Sequence, residues 1–226
     1  MLGRIGFDID NVIRDYYITV DRLFSKKGII AKNDQTNNII KRYNLNGNNL
    51  LDYYLDNLKS DEIEEIYLKA PVIGDTKYVI DSLKKYGFEI YLISAQKHTQ
   101  NSIFCDLTTE YIKNNDIYFD KLVYVEKTLD KSTIINNFAI NIFIDDYISV
   151  YVDILYNTDC TPILFKGFSM PNGAKQIFDS DINKLEAIGI PILSVDSHPD
   201  LLKFIDNGVL VIDDRNKNMK RSGLYL

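Results

Sequence analysis

Apolar residues in this chain fall into two alternating patterns: short unbroken runs, and longer stretches with helical spacing. The runs are residues 4–7 (RIGF), 89–93 (EIYLI), 122–125 (LVYV), 140–144 (INIFI), 161–165 (TPILF) and 191–195 (PILSV). Short runs that are apolar on both faces suit a parallel sheet covered by helices, so each predicts a buried strand. Residues 76–86 put Val79, Ile80 and Leu83 on one helical stripe, and Gly87 ends it. Residues 99–114 place Ile103, Leu107, Tyr111 and Ile112 at helical spacing, and shorter helices are expected over 132–137 and 147–156. Strands alternating with helices predict an α/β fold, a Rossmann-like parallel sheet with right-handed crossovers.

One stretch breaks the alternation. Nothing from residue 16 to residue 70 reads as a strand, while residues 17–27, 36–43 and 49–68 carry helical stripes, the last with a break expected at Ser60. Aromatic side chains are dense there, including Tyr16, Tyr17, Phe24, Tyr43, Tyr53, Tyr54 and Tyr67. The expected organisation is therefore an α/β core over 1–15 and 71–212 and a small helical cap over 16–70. A polar C-terminal tail follows over 213–226.

Composition narrows the function classes. The 226 residues carry 26 Lys and Arg against 32 Asp and Glu, a formal charge of −6. That balance leaves no basic excess to displace counterions from a nucleic acid, so no nucleic-acid partner is expected. No apolar run approaches the ~20 residues of a membrane span. Two isolated cysteines, Cys105 and Cys160, support neither a disulfide framework nor a zinc site. These features together predict a cytoplasmic globular protein that does not contact a membrane.

The candidate chemistry sits where the apolar runs stop. The first run leads into Asp8-Ile9-Asp10-Asn11-Val12, the second ends at Ser94, and the fourth runs into Asp145-Asp146. Lys131 opens the short helix before the fourth run. In an open parallel sheet, ligands bind beyond the carboxyl ends of the strands, which is where all of these residues fall. A single Asp after a strand is usually a turn or helix cap. Carboxylates gathered at one edge repel one another unless a cation neutralises them, and hard oxygen ligands suit Mg²⁺. A lysine and a hydroxyl beside them add what a phosphoryl group needs.

The set IGFDIDNVI, YLISAQ and NIFIDD, with Lys131-Ser132 upstream of the last, resembles the motifs of the haloacid-dehalogenase-like (HAD) superfamily. Among its branches it is most similar to the type C 5′-nucleotidase-like one, and residues 194–204 loosely match that branch's last strand and helix. The resemblance implies a Mg²⁺-dependent phosphomonoesterase. Its substrate would be a small phosphorylated metabolite, with a (deoxy)nucleoside monophosphate first among the candidates. It implies Asp8 as nucleophile, Asp10 as general acid and base, and Ser94 and Lys131 on the phosphate oxygens. Mg²⁺ would be held by Asp8, the Asp10 backbone carbonyl and Asp145, with Asp146 in support. Asn11-Val12 replaces the commoner Gly-Thr, and Asn tolerates left-handed backbone angles better than most residues. Lys127 is the alternative phosphate-binding lysine.

Other candidates have plainer readings. His98 is expected at a solvent-facing helix start, Cys105 as a buried thiol, and GFSMPNG (167–173) as a turn. Asn11, Arg14 and Tyr17 flank the expected cleft, where substrate contact and ordinary packing are both open. A phosphoacceptor receiver domain would carry its acidic pair first and its acceptor Asp later, the reverse of the order here. A catalytically silent phosphate-binding module, a phosphatase for non-nucleotide substrates and one for nucleic-acid termini remain as alternatives.

Overall fold

The computed structural model describes residues 2–36, 38–45, 50–96, 102–206 and, for Asn172, the backbone only. His98 and the expected tail over 213–226 lie outside the described residues. Six parallel strands form one sheet in the order β3-β2-β1-β4-β5-β6. They are β1 (Gly3–Phe7), β2 (Phe88–Ala95), β3 (Lys121–Val125), β4 (Ile142–Asp145), β5 (Thr161–Phe165) and β6 (Ser194–Val195). All five strand pairs are parallel. Each strand overlaps one of the six apolar runs.

Helices cover both faces because strand side chains alternate. Ile90 and Leu92 of β2 pack with Val79, Ile80 and Leu83 of α5 (Thr76–Lys85), Tyr111 and Ile112 of α6 (Ile103–Asn114), and Leu201 of α10 (His198–Asp206). Tyr91 and Ile93 face the other way, onto Ile135 of α7 (Lys131–Asn137) and Val150 and Ile154 of α8 (Ile148–Asn157). Gly6 lets β1 and β4 lie close, since a Cβ there would come within 2.5 Å of the Phe143 ring.

Between β1 and α5 the chain forms α1 (Tyr16–Lys26), α2 (Ile39–Tyr43), α3 (Leu50–Asn57) and α4 (Ser60–Tyr67). These helices share an aromatic core of Tyr16, Tyr17, Phe24, Tyr43, Tyr54 and Tyr67, extended by Phe104 and Leu107 of α6. Edge-to-face contacts such as Phe24–Tyr43, with centroids 4.8 Å apart, fill it. The two connections to the sheet run side by side. The Asp15 N–H donates to the Pro71 carbonyl at 2.9 Å and the Ile73 N–H to the Ile13 carbonyl at 2.8 Å, with an antiparallel bridge between Arg14 and Val72.

One element departs from the pattern reading. Residues 172–187 form a 16-residue helix, α9 (Asn172–Ala187), where the pattern predicts none, and the GFSMPNG turn leads directly into it. Its buried side chains, Ala174, Phe178 and Ile182, recur every four residues and make a one-residue-wide stripe. Asp, Asn, Ser and Lys fill many of the other positions, so helical periodicity is faint in the sequence.

Candidate active site

The sheet order reverses at β1, which lies between β2 and β4. Such a switch point opens a crevice at the carboxyl ends of the two strands that leave in opposite directions. In the β1–β4 register Phe7 pairs with Ile144, so Asp8 follows beside Asp145. The Asp8 N–H donates to the Ile144 carbonyl at 2.9 Å and holds that juxtaposition. On the opposite side Phe7 pairs with Leu92, which puts Ser94 just beyond Asp8 on the neighbouring strand.

Carboxylate oxygens of Asp8, Asp145 and Asp146 all lie within 4.8 Å of one another. All three residues are buried, as are Ser94 and Lys131. Lys131 reaches in from the first turn of α7. Its ammonium lies 2.8 Å from Asp8 Oδ1 and 2.7 Å from Asp145 Oδ2, bridging the two strands. Lys127, the alternative lysine, lies outside this cluster at the start of the short turn Thr128–Asp130.

The electrostatics follow from burial and number. Burial raises the Asp8 carboxyl to about 7, with Asp145 and Asp10 adding to the rise and Lys131 opposing it. Burial likewise drives Asp146 well above the ordinary carboxylate range, reinforced by Asp145 and Asp8. Burial works against the charge of Lys131, yet Asp145 and Asp8 outweigh it and hold the ammonium above the usual lysine range. One lysine thus faces three carboxylates. The donor set fits a hard divalent cation: three mutually close carboxylates, of which burial disfavours the charge on Asp8 and Asp146.

Asp10 behaves differently. Its carboxylate is not among the three clustered oxygens, and it turns to Arg14, whose Nε and Nη2 lie 2.8 and 2.6 Å from Oδ1. Arg14 is fully buried. Its Nη1 donates to the Tyr67 carbonyl at 2.8 Å, and the guanidinium lies over the Tyr67 and Tyr111 rings at 4.7 and 5.2 Å. The ligand that the sequence resemblance implies here is the Asp10 backbone carbonyl, which leaves the side chain available for this pairing.

Asn11 takes the left-handed backbone angle that its residue type tolerates, with φ of 60°. Its amide nitrogen donates to Asp146 Oδ2 at 3.1 Å, and its amide oxygen accepts the Tyr17 N–H at 2.9 Å. One side chain therefore caps α1 and holds Asp146. Tyr17 donates its hydroxyl to the Thr36 carbonyl at 3.1 Å and serves packing within the helical segment. Cys105 is buried, with its thiol pushed up by burial.

No family model matches the sequence, and no curated protein does. The fold nevertheless has solved counterparts. A conserved haloacid-dehalogenase-like protein of unknown function from Agrobacterium tumefaciens superposes with a TM-score of 0.56 at 14% identity, covering 93% of this chain and 100% of that one. A HAD-family hydrolase from Deinococcus radiodurans, solved with bound phosphate and sodium, gives 0.55 at 13% identity over 94% and 99% of the two chains. A putative phosphoglycolate phosphatase from Lactobacillus delbrueckii subsp. bulgaricus gives 0.56 at 12% identity over 90% and 98%. The fold is that of HAD-superfamily hydrolases.

Proposed function

We propose that this protein is a divalent-cation-dependent phosphomonoesterase that works through an aspartyl-phosphate on Asp8. The observation that carries the reading is the Lys131 ammonium bridging Asp8 and Asp145 at the switch point of the sheet. Carboxylates, a buried lysine and a strand-end hydroxyl together match the needs of a phosphoryl group in transfer.

Asp8 would attack phosphorus, forming a P–O bond as the ester oxygen leaves. Lys131 and the Ser94 hydroxyl would hold the non-bridging oxygens, whose charge must be stabilised during transfer. Asp10, two residues on and outside the crowded cluster, would protonate the departing alkoxide and then take a proton from the water that hydrolyses the acyl phosphate. Asp8, Asp145 and Asp146 would hold Mg²⁺, which when bound shields the nucleophile's charge from the phosphate. The helical segment over 16–70 would cap the crevice and limit water, leaving specificity to its side chains.

The substrate class proposed is a small phosphorylated metabolite, with a (deoxy)nucleoside monophosphate first on the strength of the sequence resemblance. The Lactobacillus neighbour adds 2-phosphoglycolate to the candidates. The test is release of inorganic phosphate from a panel of nucleoside monophosphates, sugar phosphates, 2-phosphoglycolate and aryl phosphates, with Mg²⁺ and with chelator. Mg²⁺-dependent release that ranks nucleotides first is expected. No release from any ester, or full release after exhaustive chelation, would overturn the reading.

A further inference from the structure

Gln96 directly follows β2, two residues beyond Ser94 and on the same side of the extended chain, and is 1% exposed. Its backbone N–H donates to the Val125 carbonyl at 2.8 Å, which continues the β2–β3 pairing and fixes where the side chain starts. Its Nε2 donates to Ser94 Oγ at 3.1 Å. Its Oε1 is buried with no hydrogen-bond partner among the described residues.

A glutamine kept for stability would be satisfied at both ends, because a buried unpaired acceptor is a net cost. Among the described residues, only the end that touches Ser94 is satisfied. The direction of that bond matters. A hydroxyl has one proton and two lone pairs, so an oxygen that accepts from Gln96 keeps its proton free to donate elsewhere. A free Ser hydroxyl in a buried strand end would otherwise turn back onto a backbone carbonyl.

We propose that Gln96 is a positioning residue: its amide N–H occupies a lone pair of Ser94 and commits the Ser94 proton to a phosphate oxygen. This rests on the phosphatase reading and deepens it. Gln96 acts through Ser94 rather than by touching phosphate, and it does so at the expense of stability.

Orthophosphate binding, titrated calorimetrically in Mg²⁺ buffer, tests this together with thermal melting. Gln96→Met should weaken orthophosphate binding about tenfold while the melting temperature holds or rises, since the unpaired acceptor is gone. Ser94→Ala should weaken binding by a similar factor, and Gln96→Met added to it should change binding less than twofold. Gln96→Glu keeps the shape but offers only acceptors, so it would capture the Ser94 proton. It should cost more affinity in the wild-type background than in the Ser94→Ala background. Additive losses in the double variant would mean that Gln96 contacts phosphate itself and would overturn the relay. Unchanged binding in Gln96→Met, or a fall in melting temperature without loss of affinity, would also overturn it while leaving the phosphatase reading intact. Wild-type protein that neither binds orthophosphate nor releases phosphate from any ester would remove both.

Discussion

Two charge clusters stand at the end of β1, two residues apart in sequence and opposite in balance. At Asp8, three carboxylates share one ammonium, and burial lifts the Asp8 and Asp146 carboxyls out of their ordinary range. At Asp10, one carboxylate meets one guanidinium, with Tyr67, Thr108 and Tyr111 satisfying the rest of Arg14. The first cluster is unfinished electrostatically, which is what a site for a cation and an anionic ligand requires. The second is complete. It contributes to stability and holds a carboxylate at a fixed distance from the first. The comparison predicts that a substitution at Asp8 costs activity rather than stability, whereas one at Arg14 costs stability.

The largest separation should come from Asp8→Asn. An amide neither attacks phosphorus nor carries the charge a divalent cation needs, so turnover should fall roughly 10⁴-fold or more. Removing one of three crowded carboxylates relieves repulsion, and the metal-free protein should melt no lower than wild type. Steady-state phosphate release and a thermal melt check both halves. Retained turnover would sink the nucleophile assignment, and marked destabilisation would sink the idea that this cluster is unfinished.

Arg14→Met should cost stability, and turnover with it, since Asp10 is the proposed acid and base. The substitution strips the counter-charge from Asp10 and leaves the Tyr67 carbonyl and the Thr108 hydroxyl without their donor. Breaking a buried ion pair on one side typically costs about 3–5 kcal/mol, and the lower end applies here because the Asp10 side chain is 23% exposed. Denaturant unfolding should show that loss. Loss of stability comparable to that of a surface substitution, within about 0.5 kcal/mol, would show that the pair is not a structural tie.

The two clusters also differ in how far they can be read from sequence. Asp8 and Asp145 were legible as a pair because they follow apolar runs, and a parallel sheet brings strand ends together whatever the loops between them do. From sequence Asp146 reads only as support and Asp10 as a third member, whereas the Asp10 carboxylate lies outside the cluster and Asp146 inside it. Lys131 was legible from its place at a helix start before β4. Arg14 was visible only as a residue near the cleft. Its partners Tyr67 and Thr108 lie 53 and 94 residues away, and neither a backbone carbonyl nor a lone threonine leaves a sequence signature. Gln96 is only the last residue of the YLISAQ stretch in the sequence, since nothing there gives the direction of a hydrogen bond. The helical stripes of residues 16–70 showed a helical segment, while α9 was lost because three buried residues spaced by four make no broad stripe.

The smallest expected effect sharpens the comparison through pH. A carboxyl raised by folding binds its proton in the folded protein at a pH where the unfolded chain has already lost it. Stability therefore falls as pH rises through the interval between the two values. Asp8 places that interval between the ordinary carboxylate range and about 7, and Asp146 has the same sign. His198 opposes them. Buried beside Thr76 with its ring 4.6 Å from that of Phe165, it is lowered by burial to about 4, so the unfolded chain takes the proton first and stability rises with pH up to about 6.5. Each group contributes about 1.4 kcal/mol per pH unit at most, so below pH 6.5 His198 offsets only one of the two carboxyls and a shallower fall remains. Above it only the carboxylates remain, and the metal-free protein should lose about 1 kcal/mol of stability on passing through neutrality. His198→Gln should steepen the fall on the acid side as well. Saturating Mg²⁺ should flatten it, because a bound cation keeps the carboxylates charged in the folded state and restores them toward ordinary behaviour. Melting curves from pH 5 to 8, with chelator and with Mg²⁺, measure all three. A metal-free protein that gains stability through neutral pH would show that the Asp8 cluster is as balanced as the Asp10 pair.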